Sequence, residues 1–153
     1  MTTCIKTFFI YTCALVVGLF ATTSLRADDE KPVTPEQLPA LAKTFVKENF
    51  ADQKIVLVMH DKGWTSSKYD VTLSDGTEIE FSSGGEWLEI ETKGAKALPE
   101  SVIPAAVLTY LKANHKDAPA KELAKKRYGY KVELRGGLEL KFSKEGKFIG
   151  YDD

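Results

Sequence analysis

Apolar and polar residues alternate from Tyr69 onward: Tyr69, Val71 and Leu73 are separated by Asp70 and Thr72, and Ile79 and Phe81 are flanked by Glu78 and Glu80. A period of two puts successive side chains on opposite faces of a strand. Ser74-Asp75-Gly76 joins the two runs with the composition of a tight hairpin, since Asp-Gly accepts the positive φ such turns need. Ser82 to Gly85 turns again, and Glu86 to Glu91 reads as a further strand. Ile55 to Met59 is apolar at consecutive positions and reads as the strand before them. Upstream the period lengthens. Leu38, Leu41, Ala42, Phe45 and Val46 recur at helical spacing. Thr34-Pro35-Glu36-Gln37 fits a capping box with proline at the first helical position, while Pro39 allows the main helix to begin there instead.

The whole pattern then recurs. Leu38 to Phe50 aligns with Ile103 to His115 with five of thirteen positions identical, and Tyr69 to Trp87 aligns with Tyr130 to Phe148 with eight of nineteen identical. The offset falls from 65 to 61 between these segments, which places a four-residue insertion in the first copy near His60 to Ser67. The second copy supplies a helix with Ile103, Val107, Tyr110 and Leu111 on one stripe. Strands follow over Ala120–Tyr128, Tyr130–Leu134, Leu138–Phe142 and Lys147–Tyr151, with a Gly136-Gly137 turn. Two copies are too few for a solenoid and are expected to share one sheet and one core. The predicted architecture is α+β: two tandem α-β-β-β-β repeats forming an antiparallel sheet with helices packed on one face.

The start of the chain reads as an address. Residues 1–27 have a basic Lys6, an apolar run from Phe8 to Phe20 and a small residue, Ala27, at a cleavage position followed by Asp28-Asp29-Glu30, the layout of a secretory signal peptide. The run is shorter than the roughly 20 residues of a membrane span, so no span is expected after cleavage; an uncleaved anchor is the alternative. The remaining chain divides into a first repeat, residues 28–95, and a second, residues 96–153. Cys4 and Cys13 are the only cysteines of the 153 residues and leave with the signal, so the exported part has no disulfide, thiolate nucleophile or cysteine metal ligand.

Leu-Pro before an amphipathic helix, then Tyr69-x-Val71-x-Leu73-x-Asp75-Gly76-x-x-Ile79-x-Phe81, a glycine turn and Trp87, resembles the PepSY-like family, also described as β-lactamase-inhibitor-like. Ile103-Pro104 and Tyr130 to Phe148 carry the same resemblance in the second copy, where Gly136 stands in place of Asp75. The resemblance implies a tandem, secreted or periplasmic protein with a fold like that of a β-lactamase inhibitor protein. It brings no catalytic residues.

Chemistry is sparse. His60 and His115 are the only histidines, far apart and at non-equivalent places in the repeat, so no metal site is expected. There is no nucleophile elbow and no calcium loop, and the glycine pairs lie between strands and not before helices. A hydrolase would require one of the histidines beside a serine and a carboxylate in a cleft. The net charge of −1 becomes −3 on loss of Lys6 and Arg26, which gives no signature for nucleic acid. Charge is divided unevenly: residues 28–95 hold seven lysines against fourteen acids, and residues 96–153 hold twelve bases against eight acids. Lys121, Lys125, Lys126 and Arg127 concentrate the excess.

The candidate partner-binding residues are therefore those sent away from the helices. Alternation puts Asp70, Thr72, Glu78 and Glu80 there. Placing Trp87 and Phe148 inward sends Leu88, Ile90, Ile149 and Tyr151 outward, where they meet a partner or pack against a loop. Trp64, in the insertion, is a loop aromatic of the kind that anchors interfaces or folds back onto a sheet edge. The expectation is a monomeric, non-enzymatic binding protein without cofactor or metal, gripping an envelope or extracellular protein through the exposed sheet face. The alternative is a small-ligand carrier with its pocket between sheet and helices.

Overall fold

Leu38 and Ile103 are each followed by proline, and both adopt extended backbone (φ −63°, ψ 142° and φ −87°, ψ 126°), the conformation a following pyrrolidine ring enforces. Each therefore separates a single 3-10 turn (Pro35–Gln37, Glu100–Val102) from the helix it precedes. The capping signal at Thr34 serves that turn: the Thr34 N–H donates to Gln37 Oε1 at 3.2 Å. Helix α1 (Ala40–Asn49) starts after Pro39 and α2 (Ala105–Asn114) after Pro104.

The structure, a computed structural model, describes residues 30–63 and 66–152. Nine strands form one antiparallel sheet in sequence order: β1 (Glu30–Pro32), β2 (Ile55–Lys62), β3 (Ser67–Leu73), β4 (Glu78–Ser82), β5 (Trp87–Glu91), β6 (Ala120–Lys126), β7 (Gly129–Leu134), β8 (Glu139–Ser143) and β9 (Phe148–Asp152). The helices interrupt this meander at equivalent places, α1 between β1 and β2 and α2 between β5 and β6. Strand β5 thus ends the first repeat and stands to the second as β1 stands to the first. The insertion lengthens the β2–β3 hairpin, which pairs out to Lys62–Ser67, whereas β6 and β7 turn directly from Lys126 to Gly129.

Both helices pack on one face. Val71, Leu73, Ile79 and Phe81 of the first repeat, and Val132, Leu134, Leu140 and Phe142 of the second, form one core with Ala42, Val46, Val107 and Leu111 of the helices. Phe45 meets Phe81 edge-on at 5.8 Å, and Tyr110 meets Phe142 edge-on at 5.4 Å, so the same contact recurs in each repeat. Trp87 joins the repeats: its ring lies 6.3 Å from Phe45 of α1 and 6.5 Å from Tyr130 of β7. Leu41, expected on the apolar helix stripe, is exposed.

Two β-bulges correct the expected facing of the last strand of each repeat. Glu80 pairs with Glu89 but Phe81 with Trp87, so Leu88 is an extra residue. An extra residue resets the alternation, and Trp87 and Ile90 both turn to the helices. Ile90 is fully buried, not outward as expected. At β9, Lys141 pairs with Gly150 and Phe142 with Phe148, making Ile149 the extra residue. Tyr151 then pairs with Leu140 on the helix side, its ring 5.1 Å from Phe148, and is half-exposed because β9 is a sheet edge.

Candidate functional site

The sheet face opposite the helices carries no layer among the described residues. Strand register lines up its side chains in two rows. One runs Thr72, Glu78, Glu91, Glu122, Glu133, Glu139, Asp152 from β3 to β9, six carboxylates on successive strands. The other runs Met59, Asp70, Glu80, Glu89, Ala124, Lys131, Lys141, Gly150. Like charges directly opposite one another repel, and the two repeats respond differently.

In the second repeat Lys131 and Lys141 of the second row, with Lys121 beside the first, neutralise the first row. Lys131 Nζ lies 3.1 Å from Glu139 and 3.3 Å from Glu122, Lys141 lies 2.7 Å from Asp152, and Lys121 lies 2.8 Å from Glu133. Burial works against the Lys131 charge, but the hydrogen bonds it donates to Glu139 and Glu122 outweigh it and hold the ammonium pKa above its usual range. Burial raises the Glu122 carboxyl, with Lys131 opposing.

In the first repeat both rows are acidic. Glu30, Asp70, Glu78, Glu80, Glu89 and Glu91 converge with Met59 and Thr72 on a depression of about 280 Å³. Compensation comes from the rim: Lys68 to Glu80 at 2.8 Å, Lys93 to Glu78 and Glu91 at 3.2 and 2.7 Å, and Lys126 of the second repeat to Glu89 at 3.5 Å. Asp70 forms no ion pair among the described residues. Burial, with the nearby Glu80 and Glu30 carboxylates, raises its pKa above the ordinary aspartate value. The result is a shallow, negatively charged basin beside a basic flank.

Asp70, Thr72, Glu78 and Glu80 come together in this basin. Ile149 and Tyr151 are exposed at the β9 edge, at the other end of the sheet from the basin. Leu88 is half-buried at its bulge; Ile90 is in the core. Trp64 lies outside the described residues. Sequence reasoning missed Glu89 and Glu91, because uninterrupted alternation from Trp87 sent them inward. Two glutamates on one strand aimed at an apolar core were themselves the warning, since buried unpaired charge is costly. Glu30 was missed because its short strand was not foreseen.

His60 Nε2 and Ser67 Oγ are 2.7 Å apart, and the His60 ring stacks on Tyr69 at 4.2 Å. A serine is thus beside a histidine at the end of the β2–β3 hairpin, but neither lines the acidic basin. Among the described residues no group of three or more His, Cys, Asp or Glu is placed to hold a metal ion, and no helix is long and apolar enough to cross a membrane. Aromatic and aliphatic side chains pack the interior between sheet and helices.

The sequence profile described as "Putative beta-lactamase-inhibitor-like, PepSY-like" matches residues 26–66 and 67–150. A crystal structure of a "putative calcium-regulated periplasmic protein" from Bacteroides thetaiotaomicron is 33% identical with a TM-score of 0.78, over 83% of this chain and 99% of that one. A "periplasmic protein of unknown function" from Bacteroides vulgatus is 34% identical with a TM-score of 0.76, over 81% and 99%. A second periplasmic protein from that organism is 35% identical with a TM-score of 0.76, over 83% and 99%. No curated protein matches the sequence. The periplasmic or secreted location expected from the sequence agrees with the location these relatives' names give. With both segments matched and solved relatives of 33–35% identity superposing along nearly their whole length, the chain belongs to the PepSY-like, β-lactamase-inhibitor-like family.

Proposed function

We propose that this is a non-enzymatic envelope protein, exported by residues 1–27, that grips a partner protein through the open sheet face of residues 28–95. The observation that carries this reading is the acidic basin: six carboxylates converge on one depression, with Asp70 outside any ion pair among the described residues. Such a field selects the chemistry of the partner, a loop or segment bearing lysine or arginine, and speeds its approach over roughly 10 Å at 0.1 M salt. Residues 96–153 act as a support whose own face is internally neutralised. An inhibitor-like grip accords with the family's description.

The test is capture from envelope extract by the tagged protein, compared with an Asp70→Lys/Glu89→Lys variant and with a Lys116→Glu control on the helix side. One protein retained by the unaltered chain and by the control, released by high salt and absent from the face-reversed variant, is the expected result. Identical captured sets from all three proteins, or no specific capture, would sink the reading.

A further inference from the structure

The first repeat has a groove that the second has closed. It runs between α1, the 3-10 turn before it and the start of β2, and encloses about 690 Å³. Val46, Phe50 and Ile55 line it, with Lys43, Lys47, Lys54 and the single carboxylate Glu36 around them. The equivalent place beside α2 encloses only about 180 Å³. The reason is a substitution between the copies. In the second repeat Glu100 reaches Lys112 at 2.7 Å across this place. In the first repeat the residue matching Glu100 is Pro35, and the residue matching Lys112 is Lys47. Proline cannot pair with the ammonium. Lys47 is left without an acidic partner among the described residues, as are Lys43 and Lys54. The Lys43 ammonium donates only to the Glu36 carbonyl at 3.1 Å. Three cations against one carboxylate, Glu36, which lies within reach of the Lys43 charge, surround an apolar floor in a half of the chain dominated by acids.

We propose that this groove binds a single-chain anionic amphiphile, its acyl chain along Val46, Phe50 and Ile55 and its head group among the three ammonium groups. The volume falls within the roughly 300–1,000 Å³ of small-molecule sites, which combine an apolar lining with a few polar groups that fix orientation. Lysine suits the position because its aliphatic stem extends the apolar wall while its charge stays in water. A free fatty acid and a lysophospholipid share this chemistry. The groove is on the helix side of the sheet, so the proposal stands or falls independently of the acidic basin.

The experiment is fluorescence titration of the delipidated full-length protein with 11-(dansylamino)undecanoate, followed by displacement. Expected are saturation at one probe per chain and displacement by laurate or by lysophosphatidylglycerol. Stronger displacement by laurate assigns a free acid, and stronger displacement by the lysolipid assigns a lipid. Lys43→Glu/Lys47→Glu/Lys54→Glu should weaken probe binding about tenfold or more, the effect of losing a hydrogen bond to a charged group. Ala51→Trp, at an exposed position lining the groove, should block it without changing charge, and circular dichroism confirms the fold of both variants. Equal displacement by dodecanol, unchanged binding in either variant, or absence of saturable binding overturns the proposal.

Discussion

Asp70 and Lys131 occupy the same position in the two repeats and carry opposite charge, and each faces a like charge across its hairpin: Asp70 opposite Glu80, Lys131 opposite Lys141. The adjoining row is acidic in both repeats. Lysine in that setting draws carboxylates from its neighbours and becomes the centre of an ion-pair network. Aspartate in that setting adds to the field. One change of residue type per strand thus separates a self-neutralised face from a negative one on the same backbone.

Asp70→Asn should stabilise the protein at neutral pH. The wild-type carboxyl is half-buried opposite Glu80, and its pKa is raised in the folded state by burial and by Glu80 and Glu30. A carboxyl raised on folding means that the folded state binds the proton more tightly, so ionisation costs stability above the raised pKa. That cost disappears as pH falls through it toward the unfolded value of about 3.9. The expected gain is on the order of 0.5 kcal/mol at pH 7, the scale of one like-charge cross-strand pair. Urea denaturation at pH 7 and again near pH 4 checks it, and a gain that persists undiminished at the lower pH contradicts this account.

Lys131→Met should have the opposite effect. It removes the cation that Glu122 and Glu139 share at 3.3 and 3.1 Å and leaves these two carboxylates, in one row on either side of Glu133, without it. A fully buried pair broken in this way loses about 3–5 kcal/mol; with water at the face, about 1–2 kcal/mol is expected. Adding Glu122→Gln should restore part of the loss. Chemical denaturation of the single and double variants reads the coupling directly.

The repeat, the helices and the hairpin turns were legible in the sequence because each rests on a local rule. Tyr69 to Phe81 alternates without interruption, Asp75-Gly76 turns where Thr77 N–H reaches back to Asp75 Oδ1 at 2.9 Å, and the prolines mark the helix starts. The final strand of each repeat was not legible. Period-two reasoning assumes one residue opposite one residue, and Leu88 and Ile149 break that count through pairing with a neighbouring strand. The slip moved Ile90 and Tyr151 to the wrong face and hid Glu89 and Glu91 from the basin. The basin itself depends on register across the five strands of the first repeat, from β1 to β5, which no local pattern encodes.

Ile90 and Leu88 give that correction a direct test. Ile90 pairs with Ile79 and Leu123 and is fully buried, so Ile90→Ala should cost about 3 kcal/mol through lost burial and the cavity left behind. Leu88, the extra residue of the bulge and only half-buried, should cost under about 1.5 kcal/mol on the same change. Had uninterrupted alternation been right, both side chains would lie outside the core and Ile90→Ala would cost little. Guanidinium melts of the two variants decide between these.

Gly85 and Gly146 match each other in the two repeats and bring the β4–β5 and β8–β9 turns against the first turn of each helix. Gly85 has φ +89°, and a Cβ there would sit 2.8 Å from Pro39 Cβ and 2.9 Å from the Ala42 amide nitrogen. Gly146 has φ +79°, and a Cβ would sit 2.7 Å from Ala106 Cβ. Alanine at Gly85 would add the left-handed backbone penalty of about 1–2 kcal/mol to the overpacking cost of about 1–3 kcal/mol. A loss of about 3 kcal/mol is expected. Gly136 shares the backbone penalty at φ +106° but has nothing within 4 Å of an added Cβ, so Gly136→Ala should lose only about 1–2 kcal/mol. Thermal melts of the two variants isolate the packing term. Equal losses would mean that the turn does not press on α1, and with it the shared geometry that seats each helix on its sheet would fall.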